Sequence, residues 1–152
     1  MLPFCFTKEI PVSFELVIKK LPIELRKKGF EILTTIRVDN EFKKHLGIEF
    51  RRYAIFGVTN LPLSYRALLK EENFGLLLTC NIIIYEIENG TIVGSLRPTQ
   101  FIPIFQNELI HEGASMLERK LAEVLDIIGR KKFTREARKF SEEQPGFQSA
   151  VA

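Results

Sequence analysis

The sequence has no tryptophan, only two cysteines (Cys5 and Cys80) and only two histidines (His45 and His111). Each scarcity removes a class of protein. Two thiols are too few for a disulfide scaffold. The histidines sit in no Cys-His signature, and the lone His111-Glu112 pair falls short of metal-ligand spacing, so no metal site, catalytic base or cofactor is expected. Glycines such as Gly57 and Gly94 stand singly, and there is no glycine-rich phosphate loop. The acids Asp39, Glu41 and Glu49 are scattered, without the pairing that general acid–base work needs. The longest apolar run, Leu76 to Ile84, is interrupted by Thr79 and Asn81, whereas a membrane-spanning helix needs about 20 apolar residues. The start, Met1-Leu2-Pro3-Phe4-Cys5, has neither a basic region nor a long apolar one. No secretory signal is expected, the expected compartment is the cytoplasm, and both thiols are expected reduced.

What is present fits one folded domain: 152 residues, 45% hydrophobic and 27% charged, too apolar for disorder. The net charge of +3 is unevenly placed. Arg130 to Lys139 carries six cations against Glu136, which is +5, and the remainder of the chain is −2. The expected organisation is a single α+β domain over 1–129 and a basic C-terminal helical extension and tail over 130–152. Phe133, Ala137 and Phe140 share one helical face, so this segment is read as extending the preceding helix, its cations matching the helix dipole. The other reading, a nucleic-acid or membrane-surface contact, requires salt-dependent retention that is lost on cutting after Gly129.

The pattern predicts β-α-β-α-β-α-β-β-α. A short aromatic strand runs from Leu2 to Ile10. Ser13 caps a helix whose apolar positions are Phe14, Val17, Leu21 and Leu25, with Gly29 as its stop and, because of Pro22, a kink or a break expected near Leu21. Phe30 to Val38 alternates as a strand. Asp39 or Asn40 caps a helix ending at Gly47. Glu49 to Val58 reads as a strand, and Pro62 opens a helix to Lys70. Leu76 to Ile87 reads as a buried strand. Asn89-Gly90 predicts a type I′ hairpin into Thr91 to Leu96. A long helix follows from about Gln106, with Ile110, Ala114, Leu117, Leu121, Val124, Leu125 and Ile128 on one face.

Two stretches are candidates for chemistry. In the first, Gly57-Val58-Thr59-Asn60 leads into a helix holding Ser64 and Tyr65. Helix N-termini bind anions, and Asn60 and Ser64 can add hydrogen bonds. Against this, Asn60 can simply cap the helix while Tyr65 packs in the core. In the second, Cys80-Asn81 interrupts an apolar strand, either facing a pocket or burying the thiol as a small hydrophobe. Thirteen phenylalanines, among them Phe50, Phe56, Phe74, Phe101 and Phe105, point to an aromatic core, or else to an apolar pocket between the sheet and the long helix.

The stretches Gly29-Phe30, Phe50-Arg51-Arg52-Tyr53, Gly57-Val58-Thr59-Asn60, Tyr65-Arg66-Ala67-Leu68 and Gly75-Leu76-Leu77-Leu78-Thr79-Cys80-Asn81 resemble the family called domain of unknown function 302, from about Ser13 to Ile128. The resemblance implies a curved antiparallel sheet packed against helices, like the TATA-binding-protein class, and a homodimer. It implies no activity. The family pattern has Cys at Thr59, Pro at Leu61 and Pro at Thr79. Here the first thiol is missing, the proline stands at Pro62, and Cys80-Asn81 is retained. A paired-thiol mechanism therefore lacks one partner. The expected function is a homodimeric small-ligand or partner-binding domain without catalysis, its site drawn from Gly57, Thr59, Asn60, Ser64, Tyr65, Cys80 and Asn81. The alternative is a thiol enzyme or redox protein using Cys80.

Overall fold

The computed structural model describes residues 4–104 and 107–143. The expected strand start at Leu2, Phe105, the expected helix start at Gln106 and the tail beyond Glu143 lie outside them. The elements are β1 (Cys5–Ile10), α1 (Phe14–Lys27), β2 (Glu31–Arg37), α2 (Val38–Leu46), β3 (Tyr53–Thr59), α3 (Leu61–Lys70), β4 (Cys80–Ile87), β5 (Gly90–Leu96), α4 (Glu108–Ile128) and α5 (Lys131–Glu143). Two 3₁₀ segments, Glu72–Leu77 and Pro98–Ile104, lie before β4 and after β5. The five strands form one fully antiparallel sheet in the order β1-β5-β4-β3-β2. This is the expected α+β class. No helix of the described residues is long and apolar enough to cross a membrane.

Pleating puts alternate residues on opposite sheet faces. Phe56, Val58, Ile82, Ile84 and Val93 face inward, where Val17, Leu21 and Leu25 of α1 and Leu121, Val124 and Ile128 of α4 meet them in one core. The basic segment is a separate helix, α5, not a continuation of α4. Its Phe133 and Ala137 enter the same core, and the Arg138 guanidinium donates to the Pro11 carbonyl at 3.3 Å.

Three local expectations are corrected. Helix α1 is unbroken across Pro22. An internal proline costs about 3 kcal/mol, but Leu16, Val17, Leu21 and Leu25 are buried on both sides of it, and each such side chain contributes about 1.5–3 kcal/mol. Leu76–Leu78 is not strand: β4 starts at Cys80, and Leu76 is 87% exposed. The hairpin loop is Glu88-Asn89, closed by the Ile87–Gly90 pair, and neither Asn89 nor Gly90 is among the described residues with positive φ, so the turn is not type I′. Gly90 serves another purpose: a Cβ there would lie 2.3 Å from the Ile10 carbonyl oxygen, where β1 ends.

One charged cluster ties α1 to the sheet. Glu15, buried in the first turn of α1, lies 3.8 Å from Arg37 and 3.6 Å from Arg52. Arg37 grips Asp39 through two bonds of 3.1 and 2.9 Å, and the Tyr53 N–H donates to the same carboxylate. Burial raises the Glu15 pKa above the usual carboxylate value, outweighing the two guanidinium groups. The folded state thus binds the Glu15 proton more tightly than the unfolded state does. Its contribution to stability falls as pH rises from the ordinary carboxylate value through the raised one. Glu15→Gln, neutral throughout, is expected to become progressively more stable than the parent over that rise; urea denaturation from pH 4 to 7 reads the difference, and an opposite slope would contradict the burial argument.

Candidate functional site

Strand β3 ends at Thr59, and Asn60 turns the chain into α3. The Asn60 side-chain oxygen accepts the Leu63 N–H at 3.1 Å, while its amide donates to the Gly29 carbonyl at 3.3 Å. Asn60 is therefore a helix cap that also ties α3 to the end of α1. One turn on, the Ser64 and Thr59 hydroxyls meet at 2.6 Å. Both are nearly excluded from solvent, at 7% and 3% exposed. Buried hydroxyls need partners, and here each serves the other.

Beyond this pair lies a cavity of about 320 Å³. Its walls come from the ends of β3 and β4, from α3, from both 3₁₀ segments and from the α4 face of Leu109, Ile110, Ala114, Leu117 and Leu121. Phe74 and Phe101 line it, and the exposed Leu76 stands at its edge. Gly113 admits Leu63 closely: a Cβ there would meet the Leu63 side chain at 2.8 Å.

The expected site residues separate. Thr59, Ser64, Cys80 and Asn81 line the cavity. Gly57, Asn60 and Tyr65 do not appear in its lining. Gly57 lies on the other sheet face, where a Cβ would strike the Thr34 hydroxyl. Tyr65 is 66% exposed, outside the core. Of the phenylalanines, Phe56 is core, and Phe50 packs edge-on against Phe42 at 5.2 Å. The α4 and Leu63 walls were not among the expected site residues. Their signal was present in the apolar α4 stripe, but that spacing marks any core-facing helix.

The Cys80 thiol donates to the Leu96 carbonyl at 3.7 Å. Burial pushes its pKa up to about 11, ahead of the weaker influence of the Ser95 hydroxyl. A reactive thiol needs the opposite shift. Cys80 is accordingly expected to react slowly with iodoacetamide in the native protein at pH 7 and faster on unfolding, read by peptide mass mapping; rapid native alkylation would contradict the raised pKa. Among the described residues no three His, Cys, Asp or Glu side chains converge, and His45 pairs with Glu41 at 3.1 Å on the surface.

Residues 6–128 match the family described as domain of unknown function DUF302. Three solved chains also match. One is described as the crystal structure of an uncharacterized conserved protein DUF302 from Bacillus stearothermophilus. It is 25% identical, with a TM-score of 0.74, and the match covers 85% of this chain and 100% of that one. No curated protein matches this chain.

Proposed function

Because the chain belongs to the family of domain of unknown function DUF302, whose description assigns no activity, its function has to be argued from its own geometry, and we propose that it is a homodimeric protein that binds a small ligand without catalysis. The observation that carries this reading is the cavity of about 320 Å³, within the size range of small-molecule pockets. It combines an apolar wall with a few convergent polar groups, the usual make-up of such sites. N-phenyl-1-naphthylamine, an uncharged probe that fluoresces in apolar surroundings, tests it. Saturable enhancement at one probe per chain supports a ligand cavity; no enhancement, or enhancement that never saturates, counts against it.

Self-association is supported by the opposite sheet face. Ile55, Ile83 and Ile92 alternate there with the glycines Gly57 and Gly94, and Ile36 beside them is 46% exposed. An apolar face of this kind favours a matching copy related by a two-fold axis. Ile83→Lys is expected to convert a dimer into a monomer in sedimentation equilibrium; a parent protein that is already monomeric would remove this part of the proposal. The alternative, a thiol enzyme using Cys80, has less support because burial holds that thiol protonated. The two free thiols suit a reducing compartment, which favours the cytoplasm.

A further inference from the structure

The lining is distinguished by what it omits. Among the described residues, no Asp, Glu, Lys, Arg or His side chain contributes to the cavity wall. The carboxylate whose field reaches Cys80 is Glu118. It is absent from the lining, and its Oε1 accepts the Thr99 hydroxyl at 2.7 Å. An anion entering here would meet no counter-charge in the wall. A cation would have to leave water without a carboxylate to receive it. Burying an unpaired charge is far costlier than burying a hydrocarbon.

The polar part of the wall, Thr59, Ser64, Thr79, Cys80 and Asn81, carries only uncharged side chains, two of them the paired hydroxyls. In the Thr59–Ser64 pair, one hydroxyl hydrogen makes the 2.6 Å bond between them. The remaining hydroxyl hydrogen and the oxygen lone pairs can meet one guest oxygen. Most of the remaining wall is apolar, chiefly leucine and phenylalanine.

Building on the ligand-cavity reading, we infer that the guest is an uncharged, mainly hydrocarbon molecule with a neutral hydroxyl or carbonyl oxygen, which rests against Thr59 and Ser64. Four probes with the same tail test this by isothermal titration calorimetry at pH 7: 1-decanol, 2-decanone, decanoate and decylammonium. The alcohol and the ketone distinguish the two neutral sources of the oxygen. The expected result is that at least one neutral probe binds one per chain, at least roughly tenfold tighter than either ion. An ion binding within tenfold of the better neutral probe would overturn the inference while leaving a ligand cavity in place. If none of the four binds, the inference also fails, and the naphthylamine titration decides separately whether the cavity takes any ligand. Location is tested with Ala114→Phe, or with Leu117→Phe one turn further along α4 should the first not fold. Either substitution should remove binding of the neutral probe, and binding that survives both would overturn the assignment to this cavity.

Discussion

Ala114→Phe is expected to abolish N-phenyl-1-naphthylamine binding, weakening it by at least roughly a hundredfold, while the protein still melts cooperatively. Ala114 is only partly buried on α4, and it lines the cavity. A phenyl ring placed there projects into empty space, so the usual cost of overpacking, about 1–3 kcal/mol, falls at its lower end. The ring removes the volume the probe needs. Direct exclusion by side-chain atoms outweighs any hydrogen-bond term, which is worth only about 1 kcal/mol. Fluorescence titration with a parallel thermal melt separates loss of binding from loss of fold. A folded variant that binds like the parent would place the probe elsewhere.

Gly90→Ala is expected to destabilise the fold by about 1–3 kcal/mol, near the upper end of that range. The reason is not flexibility, since Gly90 has no positive φ. Its missing Cβ leaves room for the Ile10 carbonyl oxygen, which would lie 2.3 Å from the added carbon. That oxygen is backbone at the end of β1, where Ile10 pairs with Thr91 and is itself fully buried. Relief requires shifting β1 along β5, not turning a side chain. Gly113→Ala makes a useful comparison, because its obstacle at 2.8 Å is the Leu63 side chain, which can rotate into the cavity. Urea denaturation should show a clearly smaller loss for Gly113→Ala, and equal losses would contradict the backbone argument.

These two positions also mark where sequence reasoning stops. Element order was readable because strand alternation and helical apolar spacing are local signals, and the Ser13 and Asn60 caps lie beside the helices they serve. Asn89-Gly90 carries a local turn signal, yet the glycine answers to Ile10, eighty residues earlier. Leu76-Leu77-Leu78 looks like strand because an apolar run has no period of its own, and tertiary packing sends it to the edge of a cavity instead. Pro22 predicts a break that four buried neighbours overrule. At the site, Cys80 and Asn81 stood out as polar residues in an apolar run, and Thr59 and Ser64 through the turn that leads into a helix. Ala114 and Leu117 did not, because a helix face that lines a cavity has the same spacing as one that fills a core.

A ligand cavity between the sheet and α4 is tested most directly by intermolecular nuclear Overhauser effects from bound 1-decanol to methyl-labelled protein. The cavity predicts contacts to the methyl groups of Leu63, Leu117 and Leu121, with the carbinol end nearest Thr59. Contacts confined to Ile55, Ile83 and Ile92 on the opposite sheet face would contradict it.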